Sequence, residues 1–208
     1  MKYLFLLLLA VFASASVQAQ TDEKAKVVLD KVSSKVKSFQ GITAKFTYTT
    51  KTKANVKKGT VNGDISIKGK KFFIKQGATQ IFSDGNKIWN YNGENEITVA
   101  DADDDSRTLS PQKLLTDFYD KDFTYKLIGS KGNFHEIEMT PIDKRKNFKK
   151  VNVYVDKNKS LITKARIIDK AENIIEFDLR NVNTNANLPD SRFVFDAKKY
   201  PGVELIEQ

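Results

Sequence analysis

Few side chains in this chain could make or break bonds. Its 208 residues include one histidine, His135, and no cysteine, which excludes thiol nucleophiles, disulfides and any His/Cys metal spacing. His135 alternates with Ile137 and Met139 in a run of period two, so it reads as a packed or half-exposed sheet residue rather than a general base. Serines and aspartates are plentiful, but a Ser/His/Asp hydrolase needs its histidine placed between two partners, and a lone, poorly placed one does not supply that. The run Asp101, Asp103, Asp104 and Asp105 has the oxygen ligands a hard cation takes, yet it lacks the glycine and terminal glutamate of a calcium loop. It reads as a solvated acidic loop. No Gly-rich phosphate loop occurs. The sequence therefore assigns no catalytic residue, no metal and no cofactor.

What remains is apolar and aromatic surface, and the elements that must position it. Between Thr21 and Phe39 the residues Ala25, Val28, Leu29, Val32, Val36 and Phe39 recur at three- and four-residue steps, the spacing of one stripe on a helix. Glu23, Lys24, Lys31 and Lys35 mark its solvated side. After Gly41 the period becomes two: Ile42, Ala44, Phe46 and Tyr48 alternate with Thr43, Lys45, Thr47 and Thr49, the pattern of a half-buried strand.

Strand patterns then dominate. Val61, Gly63, Ile65 and Ile67 alternate with polar residues, and short runs follow at 72–74, 79–83, 87–91 and 96–100. Asp84-Gly85-Asn86 and Asn92-Gly93 lie between them and suit tight hairpins. Ser110-Pro111 has the form of an N-cap followed by a first-turn proline, opening a short helix with Leu114, Leu115, Phe118 and Tyr119. Strands resume at 123–128, 133–141, 149–155, 161–168 and 173–182. About eleven strands and two helices, joined by short turns, predict a mainly β protein. Its antiparallel sheet should curl into an incomplete, half-open barrel with the helices covering the concave face.

The first residues add a location. Lys2, an apolar run from Tyr3 to Phe12 and the small-x-small ending Val17-Gln18-Ala19 form a cleavable secretory signal over 1–19. The run is too short to span a bilayer, which takes about twenty residues. Residues 20–208 are then one domain exported to the periplasm. The formal net charge of +9 would suit an anionic partner, but export excludes nucleic acid. Its lysines are scattered, with clusters at 68–71 and 144–150, and read first as solvated surface.

Several segments, in order along nearly the whole mature chain, resemble those of the outer-membrane lipoprotein carrier (LolA-like) family. These are Ser38-Phe39-Gln40-Gly41 with Ala44-Lys45-Phe46, and Gly63-Asp64-Ile65-Ser66-Ile67-Lys68 with Lys71-Phe72. The hairpin from Phe82 to Tyr91 is similar to the family's Ser-Asp-Gly-Lys-x-x-Trp-x-Tyr motif. Ser110-Pro111 with Leu114-Leu115, Tyr154-Val155-Asp156, the stretch from Asp169 to Glu176, Asn187-Leu188-Pro189, Phe193-Val194-Phe195 and Tyr200-Pro201-Gly202-Val203-Glu204 continue the series.

The resemblance implies a monomeric periplasmic carrier and no enzyme. Such a carrier accepts acylated lipoproteins from an inner-membrane ABC-type release complex and hands them to an outer-membrane acceptor. Alternation puts Phe46 and Tyr48, Ile65 and Ile67, Phe72 and Ile74, and Trp89 and Tyr91 on inward faces, and the first helix adds Val28, Leu29, Val32 and Val36. By pattern alone these could form a solid core; the resemblance makes them the lining of an acyl-chain cavity. It makes the first helix and the helix with Leu114, Leu115 and Phe118 a lid. Where many members carry Arg-Pro after the second strand, with the arginine holding the lid, this chain has Lys68-Gly69-Lys70. Lys68 and Lys70 are thus expected as a weaker lid contact, without the forked donors of arginine. Another periplasmic lipid- or glycolipid-binding or sensor module of the same fold, or a structural β protein with a filled core, stays open.

Overall fold

The computed structural model describes residues 22–102, 113 and 122–207. The proposed signal segment, most of the acidic run and the helix expected at Leu114, Leu115 and Phe118 lie outside these residues.

Helix α1 (Glu23–Lys37) leads into β1 (Ile42–Lys51), β2 (Lys57–Lys68), β3 (Lys71–Gln76), β4 (Thr79–Ser83), β5 (Lys87–Tyr91) and β6 (Glu96–Asp101). Then come β7 (Phe123–Lys131), β8 (Phe134–Pro141), β9 (Phe148–Asp156), β10 (Leu161–Asp169) and β11 (Ile174–Asn183). Two 3-10 turns, Asp190–Phe193 and Ala197–Lys199, precede β12 (Glu204–Glu207). Among the described residues the strands form one sheet of twelve in the order β12-β6-β5-β4-β3-β2-β1-β11-β10-β9-β8-β7. It is antiparallel except where β12 runs parallel to β6, and it does not close into a barrel.

The eleven strands expected from alternation are all present, and their hairpins turn where expected. Gly85 and Gly93 both sit at φ +95°, and Asp84 Oδ1 accepts from the amides of Asn86 and Lys87 at 2.8 Å each. The twelfth strand is the addition. Glu204–Glu207 is short, exposed and without alternation; only a partner strand over a hundred residues earlier makes it β structure.

Cross-strand partners share a face, so the register divides the sheet into two surfaces. On the inner one, Phe46 faces Leu179, Tyr48 faces Phe177, Ile65 faces Ile74 and Ile67 faces Phe72. That surface joins Ala25, Leu29 and Val32 of α1 in a single apolar cluster reaching from β3 to β7. β3 and β7 are seven strands apart in the sheet, a span of roughly 34 Å if flat. One continuous cluster under one helix is the product of a sheet that curls. The outer surface is polar over β7–β11, where Glu136 accepts from Asn152 Nδ2 and the Tyr154 hydroxyl at 3.1 Å each. Over β3–β6 it is apolar. There Phe73 and Phe82 pack with Ala186, Leu188 and Phe193, from the chain that follows β11.

Candidate functional site

The inner face is the candidate site, and α1 is its visible cover. The helix begins because Asp22, in extended conformation, caps it: Oδ1 accepts from the amides of Lys24 at 2.9 Å and Ala25 at 3.4 Å. Oδ2 of the same carboxylate accepts from the Leu127 amide at 3.0 Å, so one side chain starts the helix and clamps it to strand β7. The Leu127 amide, then those of Lys24 and Ala25, hold the Asp22 carboxyl below its ordinary range against an opposing effect of burial. Ser38 closes the far end, its hydroxyl donating to the Lys35 carbonyl at 2.7 Å.

Most of the expected lining is brought together. Leu29, Val32, Phe46, Ile65, Ile67 and Ile74 are buried in the inner cluster, and Val28, Val36, Tyr48 and Phe72 pack against it half-buried. The expected lining omitted residues that belong there: Val61, in the same alternating run as Ile65 and Ile67, and Ile81 are half-buried on that face, and Ile88 follows them by register. α1 makes its most extensive contacts with the sheet at β7 and β10, on the far side of β1 and β11 from these half-exposed side chains of β2–β5.

Two expected positions fall on the other face. Phe73 faces Phe82 and Phe82 faces Trp89, while Gln80 faces Tyr91, which places Trp89 and Tyr91 outside. Trp89 packs against the outer cluster and the Tyr91 ring lies 4.9 Å from that of Tyr200. The error has a physical source. Both faces of β3–β6 bury apolar residues, so the larger aromatics of Ile88-Trp89-Asn90-Tyr91 did not mark the inner side.

Lys68 is likewise outside. Its Nζ donates to Asp190 Oδ1 at 2.8 Å and to the Leu188 carbonyl at 3.0 Å, while Lys71 takes the other oxygen of Asp190 at 2.8 Å. The two ammonium groups hold the Asp190 carboxyl down at about 2. The described contact of Lys68 is therefore with the C-terminal chain and not with a helix over the inner face. Lys70 is exposed in the turn between β2 and β3. Leu114, Leu115 and Phe118 lie outside the described residues.

That C-terminal chain, residues 184–203, forms a belt across the outer face, which sequence reading left without a role. Phe193 is wholly buried. Arg192 donates through Nε to Ser66 Oγ at 2.9 Å and stands over the Phe73 ring at 5.0 Å. The Tyr200 hydroxyl donates to Gln80 Oε1 at 3.0 Å.

His135 lies on the inner face by its pairing with Val155. Its Nδ1 is buried without a hydrogen bond among the described residues. Burial, then Lys157 and Lys31, lower its pKa, so the ring stays neutral near pH 7. A general base needs an orienting carboxylate or a hydroxyl partner on that ring, and none of the described residues provides one at Nδ1. Among the described residues no three acidic or histidine side chains gather as a metal site, and no helix is long and apolar enough to cross a membrane.

The family model described as outer membrane lipoprotein carrier protein LolA matches residues 37–196. No curated protein matches. Among solved structures, an uncharacterized conserved protein from Thermus thermophilus superposes with a TM-score of 0.58 at 12% identity, covering 89% of this chain and 99% of that one. A domain from Vibrio parahaemolyticus named for outer membrane lipoprotein sorting gives 0.51 at 13% identity, covering 82% and 96%. A LolA superfamily protein from Nitrosomonas europaea gives 0.48 at 12%, covering 83% and 98%. At these identities the likeness is one of fold. The match of the family model over residues 37–196, on a curled open sheet with a helix on its apolar face, shows that the chain belongs to the outer membrane lipoprotein carrier protein LolA family.

Proposed function

We propose that this protein is a periplasmic carrier that shelters the acyl chains of lipoproteins between an inner-membrane release complex and an outer-membrane acceptor, without chemical turnover. The observation that carries this reading is the uneven cover of the inner face. α1 seals the β7–β10 side, while Tyr48, Val61, Phe72 and Ile81 form a half-exposed apolar shelf beside it. An acyl chain of about fifteen methylenes loses on the order of 10 kcal/mol when it enters water. A shelf flanked by a removable helix offers comparable shelter and still permits release. The secretory signal read in residues 1–19 supports the location, and the family supports the cargo class.

The chain has no cysteine, so Ile81→Cys gives one attachment point for an environment-sensitive dye on the shelf, and Thr47→Cys gives a control on the outer face. A triacylated lipopeptide, titrated below its micelle concentration, should shift the dye at position 81 to the blue and leave the dye at 47 unchanged. The emission of Trp89 should also hold constant, because that ring packs on the far side of the sheet. If position 81 is silent and the lipopeptide does not co-elute with the protein in gel filtration, the inner face is a filled core and the carrier reading fails. A response to free fatty acid or glycolipid but not to lipopeptide would reassign the cargo.

A further inference from the structure

The outer face holds a concavity that acyl-chain binding does not use. Two adjoining depressions of about 300 and 580 Å³ lie where β1, β2, β3 and β11 meet, and share Lys45, Asp64, Lys75 and Asn181 in their linings. Arg192 of the belt borders one and Arg180 of β11 borders the other.

Several cations elsewhere on this surface are matched: Lys51 with Glu176 at 2.8 Å, Lys150 with Glu138 at 2.7 Å, and Lys68 and Lys71 together on Asp190. In the groove the balance is reversed, with four cations and Asp64 as the single lining carboxylate. Lys45 occupies Asp64 at 2.8 Å, and Arg180 reaches only Asp178, at 3.6 Å. Lys75 is exposed and has no hydrogen bond or ion pair among the described residues. Arg192 commits Nε to Ser66 and its plane to Phe73, which leaves its two Nη groups without an acceptor among the described residues. Like charges gathered in a concavity focus a positive potential, which favours an anion there.

The backbone gives an independent sign. Asn181 sits inside β11 at φ +51°, a left-handed conformation that asparagine accepts more readily than other side chains but that is out of place within a regular strand. It falls at a break in the ladder, where Thr43 faces Asn183 but Lys45 faces Arg180. Such a bulge re-aims the side chains beside it, and here those are the groove wall. The ladder break at Asn181 thus lies in the wall of the same groove where positive charge converges.

We propose that this groove binds a phosphate-type oxyanion, a phosphomonoester or phosphodiester of the size of a glycerol phosphate, carried by a small solute or a membrane lipid headgroup. Two arginines supply forked donors matched to phosphate oxygens, and two lysines add point charges around them. The site is separate from the inner face, so its failure would leave the carrier reading standing.

The test titrates glycerol 3-phosphate into the full chain and follows backbone amide shifts. Saturable shifts centred on Arg180, Asn181 and Arg192, weakening as salt rises, are expected. The exposed pair Lys75→Glu with Arg180→Glu should weaken binding at least about tenfold. Lys144→Glu with Lys170→Glu changes the net charge equally but lies away from the groove, and should weaken it less than about threefold. Should the first pair fail to fold, Lys75→Ser alone is expected to weaken binding measurably with Tm unchanged. Vesicles of phosphatidylglycerol and of phosphatidylcholine separate the sources. Sedimentation with the anionic vesicles, reversed by glycerol 3-phosphate, assigns a headgroup; binding of the soluble phosphate alone assigns a solute. No saturable shift up to about 10 mM, equal losses in the two charge-reversed pairs, or displacement by polyglutamate as readily as by phosphate overturns the proposal.

Discussion

The sheet has two covers, and they are fastened differently. α1 lies on the inner face through Ala25, Leu29 and Val32, and a polar clamp holds it to the sheet at one end, where Asp22 bridges the first turn and strand β7. The belt on the outer face is tied along its length: Leu188 and Asp190 to Lys68 and Lys71, Arg192 to Ser66, Phe193 into the outer cluster, Tyr200 to Gln80, and β12 to β6. Apolar contact is non-directional and is released gradually as a helix tilts, whereas spaced hydrogen bonds must break together. From this difference we propose that α1 is the cover able to move and that the belt holds the sheet's curvature.

The strongest way to break this comparison is to remove one anchor from each cover. Phe193→Ala should cost about 3–5 kcal/mol and Leu29→Ala about 2–5 kcal/mol, read from denaturant unfolding. Hydrogen exchange sharpens the contrast. Leu29→Ala should speed exchange in α1 alone, while Phe193→Ala should speed it across β3–β6 and β12. If Leu29→Ala also loosens β3–β6, the two covers belong to one cooperative unit and α1 does not move by itself.

A smaller effect follows from Asp190. Its folded pKa of about 2 lies below the ordinary value of 3.8, because Lys68 and then Lys71 favour the carboxylate. A depressed carboxyl stabilises the fold above its unfolded pKa and loses that contribution as pH falls through the folded value. Asp190→Asn should therefore have a lower Tm than the parent near pH 6, with the gap closing between pH 3.8 and about 2. A gap that persists unchanged to the lowest pH would show that the asparagine acts through packing and not through the two lysines.

The smallest expected change is at Asp22. Asp22→Ala should lower Tm by roughly 2–4 °C and raise amide exchange at Lys24, Ala25 and Leu127, with no change in the belt. Acid should imitate the variant, since the lowered Asp22 pKa means the clamp weakens as pH drops below the ordinary carboxylate range. Lipopeptide should load faster onto Asp22→Ala if the clamp restrains opening. Equal loading rates would locate the moving cover elsewhere.

The strands were legible wherever one face is apolar and the other polar. Over β1 the pattern named both the strand and its buried side, and over β8 it put Ile137 and Met139 on one face; Phe46, Ile137 and Met139 all lie inside. Over β3–β6 it named the strands but not the side. Phe72 points in and Phe73 out, both apolar, because the belt buries the outer face there as well. Trp89 and Tyr91 were misplaced for that reason. Asp22 carried a readable signal, an acidic residue just before an amphipathic run, but its second bond to Leu127 joins residues 105 apart in sequence.

By itself the sequence determined the periods, the turns, the absence of thiol chemistry and the family, since each depends on residues within a few positions or on local motifs in order. Tertiary structure alone decided which face each strand of β3–β6 shows to the core. It also set what Lys68 holds, how the C-terminal chain becomes a belt, and where four cations converge beside the ladder break at Asn181. The partners in these cases lie up to 126 residues apart, and the pairing is selected by the register of the curled sheet, a property that no local window contains.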